Sequence, residues 1–233
     1  IHKYGGTISA SPNFGYELTR VRAKEEKLKN LDLSSWRISV NGAEAVLSST
    51  IDGFNDRFGK YGLLPTVIRP VYGLAENSVG LAFPSQVRTP IVDRIDRLEF
   101  SRSGRAIPDM NLENLPLEFV SCGQPLPKHE IRVVDSGGRE VSDRQEGSIE
   151  FRGPSSTQGY YHNKHATQLL FNGDWLVTGD KGYLAGGEIY ITGRVKDTII
   201  RAGRNIYAAE VEVAVGSVVG VRTGCVAVFG VHS

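Results

Sequence analysis

The spacing of apolar residues constrains this chain most strongly, because it changes along the sequence from a helical period to a strand period. In the first third, apolar residues recur three or four positions apart in two stretches, which predicts two helices. They are Phe14, Leu18 and Val21, then Leu47, Ile51, Phe54 and Phe58. Between them, Trp36, Ile38 and Val40 alternate as in a strand, and two apolar runs follow, at 66–68 and 79–83. This order predicts an α/β fold, with a large domain of layered sheet and helices and a mainly parallel sheet.

The pattern from Ile131 onward consists of short alternating runs separated by glycine-containing turns. It predicts a small antiparallel β-barrel-like subdomain over about 126–193, as the last part of a large domain covering 1–195. The polar, arginine-rich segment from Pro84 to Pro116 interrupts the large domain and is predicted to be a long loop or an insertion.

The C-terminal residues predict a second unit. Val211, Val215 and Val218 share one face of a further helix, and the apolar run at 225–231 is typical of a final strand. Residues 196–233 are therefore predicted to begin a small α+β C-terminal domain that is truncated. Because the chain also lacks an initiating Met, we expect it to be an internal fragment of a longer protein.

Composition excludes several classes of function. Among the 233 residues, 27 Lys and Arg face 26 Asp and Glu, which gives no general electrostatic reason to bind nucleic acid or an anionic membrane. The chain has no secretory signal pattern and no run of eighteen apolar residues, so stable membrane insertion is not expected. Two distant cysteines imply neither a disulfide framework nor a zinc site, and a reducing cytoplasm is the expected location.

Three short motifs carry chemistry. In the first, Tyr72 and Glu76 follow a predicted strand, so their side chains are expected at the carboxyl edge of the sheet, where α/β proteins bind ligands. A flat aromatic ring beside a glycine can stack on a purine, and a carboxylate is an oxygen ligand that Mg²⁺ accepts. Taken alone, the motif is explained better by a core tyrosine and a solvated glutamate.

The second motif places Asp180 in a predicted glycine-flanked turn, where its two oxygens could accept both hydroxyl protons of a ribose. The third runs from Gly193 to Tyr207 and gathers four cations, Arg194 among them, whose guanidinium suits a ribose or phosphate oxygen pair. Taken alone, the second motif is also explained by a turn-forming aspartate. The third is also explained by a solvated charged hairpin.

Together and in this order, the three motifs resemble the adenylate-forming superfamily of acyl-CoA synthetases, luciferases and nonribosomal adenylation domains. Four further segments resemble the fatty acyl-AMP ligase branch. They are Asn13 to Leu18, Asn41 to Glu44, Val120 to Pro125 and Gly203 to Tyr207. Two positions depart from the pattern: Ala75 replaces the hydroxyl residue common in the wider superfamily, and Ile206 to Ala209 differ from the His-Tyr-Pro usual in the branch.

The resemblance implies a role for each matching residue. The loop of Gly42, Ala43 and Glu44 would enclose adenine together with Tyr72 and the adjoining Gly73, Leu74 and Ala75. Glu76 would hold Mg²⁺, Asp180 would bind ribose, and Arg194 would bind ribose or nearby oxygens. Lys196 would be the hinge of the small domain, and Phe14 and Tyr16 would form a wall of the acyl pocket.

The implied activity uses ATP and Mg²⁺ to convert a fatty acid to acyl-AMP, followed by transfer to the thiol of an acyl carrier protein or CoA. The segment from Pro84 to Pro116 lies near the place where fatty acyl-AMP ligases carry an insertion. This resemblance favours an acyl carrier protein over CoA as the acceptor. The family's phosphate loop and its catalytic lysine fall outside this sequence, so the fragment is expected to be inactive alone. A catalytically inactive nucleotide-binding or scaffold domain of the same fold is the alternative.

Three other features suggest weaker hypotheses. His162 and His165 could share a helix face, but further zinc ligands are not evident. Cys122 could be a nucleophile, yet no His or Asp can be tied to it, and a cysteine hydrolase is therefore disfavoured. The stretch from Arg94 to Arg105 alternates with acids and is typical of a solvated face.

Overall fold

A computed structural model describes residues 1–110, 115–201, 204–222 and 225–231. The helices are α1 (Asn13–Arg22), α2 (Glu25–Leu28), α3 (Ser48–Phe58), α4 (Arg97–Ser103), α5 (Lys164–Leu170) and α6 (Ala208–Gly216). The strands of the first part are β1 (Ile8–Ser11), β2 (Ile38–Asn41), β3 (Ile68–Pro70), β4 (Ala82–Phe83), β5 (Val92–Ile95), β6 (Leu117–Val120) and β7 (Gln124–Pro125). They are followed by β8 (Glu130–Val134), β9 (Gly147–Arg152), β10 (Phe171–Asn172), β11 (Trp175–Ala185), β12 (Glu188–Arg194), β13 (Ile199–Arg201) and β14 (Arg204–Ile206).

The first part of the fold is a parallel sheet covered by helices, which confirms the predicted α/β layers. Strands β1, β2 and β3 pair side by side in that order, and both pairings are parallel. Helices α1 and α3 pack on this sheet through Tyr16, Phe54 and Phe58, with Phe54 edge-on to Tyr16 at a ring separation of 5.3 Å. The run at 79–83, predicted as part of the strand alternation, differs: only its end forms β4, which pairs antiparallel with β7.

The outer face of α1 does not follow the sequence pattern. Phe14, Leu18 and Val21 have helical spacing, yet all three are exposed, and Phe14 is exposed to 61%. The buried members of the helix are Asn13 and Tyr16. The stretch is helical as predicted, but its side toward the sheet is set by Tyr16 and by the polar contacts of Asn13.

The second part is a five-stranded antiparallel sheet in which β11 is central. Strand β9 pairs with β8 on one side and with β11 on the other, and both β10 and β12 pair with β11. This sheet confirms the predicted β-rich unit. Its core contains Ile149, Phe151, Leu176 and Ile189, and Tyr72 packs into the same cluster from the first part of the chain.

The segment from Pro84 to Pro116 was predicted to be a long loop or an insertion, and the loop alternative is wrong for its central part. It contains β5 and α4, with Ile95 and Phe100 fully buried. Helix α4 begins with a side-chain cap, because Asp96 Oδ1 accepts the Glu99 N–H at 2.7 Å. Helix α4 was not predicted because it is short and has few apolar side chains. The charged residues around them hide the helical period. Arg94, Arg97 and Arg102 each form an ion pair with a glutamate.

The C-terminal part begins with the β13–β14 hairpin and continues into α6. Val211 and Val215 lie in α6 as predicted, whereas Val218 lies beyond its end. The predicted strand at 225–231 is not formed in the described residues, where the Val228 N–H donates to the Glu212 carboxylate of α6 at 2.9 Å instead of pairing with a strand. None of the helices in the described ranges is long and apolar enough to cross a membrane.

Candidate active site

Tyr72 and Glu76 lie on the segment that leaves the carboxyl end of β3. The backbone N–H of Tyr72 donates to the Ala82 carbonyl at 3.0 Å, and the Ala82 N–H donates back at 2.9 Å. A single 3₁₀ turn then spans Ala75–Asn77. The buried Asn77 side chain donates to the Gly80 carbonyl at 2.6 Å and closes the turn. Glu76 is therefore carried by a closed turn just beyond the edge of the parallel sheet.

Asp180 reaches the same place from the β-rich part of the chain. It lies within β11, and the predicted glycine-flanked turn is wrong because the strand continues through this position. Gly179 has φ of 79°, a conformation that residues with side chains rarely adopt. The pairing of β11 with β9 is irregular between Val177 and Lys181. Gly179 and Asp180 therefore lie within a bulge, and a bulge changes the direction of the neighbouring side chains.

Two of the other residues singled out by the motifs, Tyr72 and Arg194, contact the Asp180 carboxylate. The Tyr72 hydroxyl donates to Asp180 Oδ2 at 2.7 Å. Arg194 is the cross-strand partner of Asp180 on β12 and places its Nε 3.7 Å from Asp180 Oδ1. Burial raises the pKa of the Asp180 carboxyl, Tyr72 and Arg194 oppose that rise, and the negative charge of Glu76 adds to it. Tyr72, Asp180 and Arg194 are therefore in contact, and the charge of Glu76 acts on the same carboxylate.

The Tyr72 side chain is only 8% exposed. Burial, followed by the charge of Asp180, raises its pKa, so the hydroxyl stays protonated at neutral pH and acts as a donor. In the structure, the Tyr72 hydroxyl orients the Asp180 carboxylate through this hydrogen bond. Stacking of this ring on adenine stays a prediction.

Glu76 has a partner that the sequence did not reveal. The hydroxyl of Tyr160 donates to Glu76 Oε1, although 84 positions separate the two residues. This contact raises the pKa of Tyr160 to about 12. The only local signal was the Gly159-Tyr160 pair in a loop, which indicates a turn and no particular chemistry.

The donor set around Glu76 fits Mg²⁺ but not a fully protein-ligated metal. The described residues contain no group of three or more His, Cys, Asp or Glu side chains that could hold an ion. Mg²⁺ keeps several waters and typically takes one or two protein carboxylates together with substrate phosphates. Glu76 is partly exposed at the sheet edge and can be such a single ligand.

The predicted adenine loop lies next to this cluster. Gly42 directly follows β2 and approaches Val71 closely, since a Cβ at Gly42 would lie 3.0 Å from the Val71 carbonyl oxygen. Ala43 has φ of 67°, and the Glu44 carboxylate accepts the backbone N–H of Phe14 at the start of α1. The loop is thus fixed between the segment leading to Tyr72 and the first turn of α1. The positions of Gly73, Leu74 and Ala75 follow Tyr72 along the same edge.

The two residues of the predicted acyl wall are placed differently. The Tyr16 ring is buried, and its hydroxyl contacts Ser39 Oγ at 2.6 Å and donates to the Val40 carbonyl at 3.0 Å. It lines a cavity of about 480 Å³. The apolar lining includes Leu28, Leu31, Leu33, Trp36, Phe54 and Phe58. Phe14 is absent from that lining and lies exposed on α1.

Lys196, the predicted hinge, is exposed in a 3₁₀ turn at Val195–Asp197. This turn connects β12 to the β13–β14 hairpin. Beyond it, the chain packs on α4: Tyr207 stacks on Phe100 with a ring separation of 5.4 Å, and Glu210 pairs with Arg97.

A second contact of this docked segment involves a buried carboxylate that sequence reasoning missed. Asn205 donates to Glu146 at 3.4 Å, and Glu146 also binds Lys181 Nζ at 2.8 Å and the hydroxyl of Thr192. Glu146 lies in a polar stretch before β9, so its neighbours gave no indication that it would be buried. Asn205 is the only one of these partners beyond the predicted hinge.

The remaining candidates do not join the site as reactive groups. Cys122 is buried, and burial raises its pKa to about 12, so it is a thiol at neutral pH and a poor nucleophile. His165 lies in α5, but His162 precedes the Asn163 cap of that helix with φ of 50°. The two histidines therefore do not share a helix face as predicted.

This geometry defines a class of protein: an α/β domain in which a carboxylate at the sheet edge is held by a tyrosine and an arginine. The AMP-binding enzyme family matches residues 1–161, and the chain belongs to that family. A 4-hydroxyphenylalkanoate adenylyltransferase from Mycobacterium marinum is 36% identical over 97% of this chain and 38% of its own length. A long-chain-fatty-acid–AMP ligase from the same organism is 34% identical over 95% of this chain and 40% of its own length.

The comparison with solved structures also finds fatty acyl-adenylate ligases. In a study of fatty acyl-adenylate ligases from E. coli and L. pneumophila, one chain superposes with a TM-score of 0.88 at 36% identity, covering 93% of this chain and 39% of that one. The chain is therefore similar to fatty acyl-AMP ligases, and it spans about two fifths of the length of the relatives that it matches.

Proposed function

We propose that the full-length protein uses ATP to convert a long-chain fatty acid to acyl-AMP with release of pyrophosphate. The acyl group then passes to the thiol of an acyl carrier protein or of CoA. The observation that carries this proposal is the cluster at the sheet edge in which Tyr72 and Arg194 hold the Asp180 carboxylate, with the charge of Glu76 acting on it. Similarity to fatty acyl-AMP ligases supports the choice of a fatty acid.

Asp180 is suited to hold the ribose. An ionised carboxylate offers roughly four lone-pair positions, and the Tyr72 hydroxyl uses one of them. The remaining positions can accept the protons of both ribose hydroxyls, in charge-assisted hydrogen bonds. Arg194 contributes a planar guanidinium that can contact a ribose or phosphate oxygen pair beside it.

Glu76 would hold Mg²⁺ together with the phosphates of ATP. The bound ion would supply neutralisation of the charge that moves onto pyrophosphate when the α-phosphate is attacked. The protein residues need not provide a base, because a fatty acid carboxylate is already ionised at neutral pH. Their contribution is to bind, orient and align the two reactants.

The fatty acid would enter from the side of Tyr16. The cavity of about 480 Å³ beside this residue has mainly apolar walls, which suit a hydrocarbon chain. The Glu44–Phe14 contact connects the start of α1 to the adenine loop, so the acyl and nucleotide sites share a structural element.

The proposal is tested by supplying the purified full-length protein with ATP, Mg²⁺ and fatty acids of several lengths. Mass spectrometry should detect acyl-AMP, and adding CoA or a carrier protein then shows which thiol consumes it. A 4-hydroxyphenylalkanoate should be included as a competing acid. If only that acid is adenylated, the fatty acid assignment is wrong; if none is, the proposed activity is wrong.

Lys196 is proposed as the hinge at which the small domain rotates between the two half-reactions. Rotation would have to separate Tyr207 from Phe100 and Glu210 from Arg97, while the Asp180 site stays intact. Lys196→Pro fixes one backbone torsion, so we expect thioester formation to slow about 10-fold while adenylation changes less than about 3-fold.

Rapid-quench assays of the two half-reactions measure this difference. Lys196→Ala is the matched variant: it removes the charge but leaves the backbone free, so it should slow thioester formation less than proline does. Equal losses in both half-reactions with proline would contradict the hinge role.

A further inference from the structure

The turn that carries Glu76 is held by a loop from the β-rich part of the chain. This loop covers residues 153–161 and connects β9 to the region of α5. The Thr157 N–H donates to the Glu76 carbonyl at 2.7 Å, and Ser78 Oγ donates to the Ser155 carbonyl at 3.1 Å. In addition, Ser155 Oγ donates at 3.2 Å to the buried Asn77 Oδ1. The loop and the turn are therefore joined at Glu76 itself and at the two residues that follow it.

Tyr160 is itself fixed within this loop. Its backbone N–H donates to Thr167 Oγ1 of α5 at 2.9 Å. Gly159 has φ of 140°, and a Cβ there would lie 2.6 Å from the Thr167 methyl carbon, so the loop packs against α5 at a position that requires glycine. The hydroxyl of Tyr160 thus approaches Glu76 from a backbone position that α5 determines.

We propose that Tyr160 is a positioning residue for the divalent cation. By donating its hydroxyl to Glu76 Oε1, Tyr160 holds the carboxylate in one orientation and leaves the other oxygen as the ligand. Carboxylates that ligate metals are themselves generally hydrogen-bonded, and loss of such an outer partner typically weakens metal binding by about 10- to 100-fold. This inference rests on the proposed role of Glu76.

Mn²⁺ is a suitable probe, because electron paramagnetic resonance reports its binding directly, without turnover. The full-length protein would be titrated with Mn²⁺ in the presence of a non-hydrolysable ATP analogue. We expect Tyr160→Phe to raise the apparent Kd for Mn²⁺ about 10-fold, with little change in the melting temperature or in the KM for fatty acid. Tyr161→Phe is the matched control, since the adjacent Tyr161 is 92% exposed, and its Kd for Mn²⁺ should equal that of the wild type.

Glu76→Gln separates this inference from the role of Glu76. If Glu76→Gln weakens Mn²⁺ binding but Tyr160→Phe leaves it within about twofold of wild type, the positioning role is wrong while Glu76 remains a ligand. If both variants bind Mn²⁺ like the wild type, Glu76 is not a ligand and the inference is overturned as well. A fall in melting temperature with unchanged Mn²⁺ affinity would make Tyr160 purely structural. Formation of acyl-AMP by the same wild-type preparation tests the proposed reaction separately.

Discussion

Asp180→Ala should raise the Kd for ATP by about 100-fold in the full-length protein. Hydrogen bonds to a charged group contribute about 1.5–3 kcal/mol each, and the variant would lose the acceptor for both ribose hydroxyls. It would also leave the buried Tyr72 hydroxyl without the acceptor seen at 2.7 Å. Isothermal titration calorimetry with a non-hydrolysable ATP analogue measures this change.

Asp174→Ala is the matched control for this experiment. Asp174 is an exposed carboxylate immediately before β11, the strand that carries Asp180. Its removal should leave the Kd for ATP unchanged, because Asp174 lies beyond the start of the extended strand β11 and its charge acts on Arg152. A Kd for Asp180→Ala within about threefold of the wild-type value would show that Asp180 does not bind the nucleotide.

Glu76→Ala should lower the rate of Mg²⁺-dependent ATP–pyrophosphate exchange by about 100-fold or more. Removing one group that stabilises transition-state charge typically lowers a rate by about 10²–10³-fold, and Glu76 would be the protein carboxylate that holds the ion. The exchange is measured by the transfer of labelled pyrophosphate into ATP, in the presence of fatty acid.

The control for the exchange assay is Glu26→Ala in α2, which replaces an exposed carboxylate far along the chain from the candidate site. This variant should exchange at the wild-type rate. Raising the Mg²⁺ concentration should restore part of the activity of Glu76→Gln, since a neutral amide oxygen is a much weaker ligand than a carboxylate. Full exchange by Glu76→Ala would remove this residue from the metal site.

The period of apolar residues predicted the main layers correctly. Phe54 and Phe58 do pack on a parallel sheet, and the alternation after Ile131 does become an antiparallel one. In α1 the period gave the helix but not its buried face, because Phe14, Leu18 and Val21 are exposed and Tyr16 is buried. Helix α4 was missed because its core contribution consists of Phe100 among charged residues, and a single apolar residue has no period. A helix of seven residues is stabilised by tertiary contacts more than by its own sequence, and those contacts are invisible in the sequence.

The site shows the same division between local and long-range information. Local motifs pointed to Tyr72, Glu76, Asp180 and Arg194, and the structure brings Tyr72 and Arg194 into contact with Asp180. The motifs did not reveal the backbone conformation at Asp180. A glycine beside it fits a turn or a bulge equally well, and only the pairing of β11 with β9 decides between them. Tyr160 was missed because its significance comes from one contact with Glu76 across 84 positions, and a lone tyrosine in a loop gives no signal of that.

The most direct measurement is a crystal structure of the full-length protein with a non-hydrolysable acyl-adenylate analogue. We expect both ribose hydroxyls within hydrogen-bonding distance of the Asp180 carboxylate, with the adenine between the Gly42–Glu44 loop and the Tyr72 segment. An analogue bound elsewhere, with the Tyr72, Glu76, Asp180 and Arg194 cluster free of nucleotide, would contradict the assignment of this site.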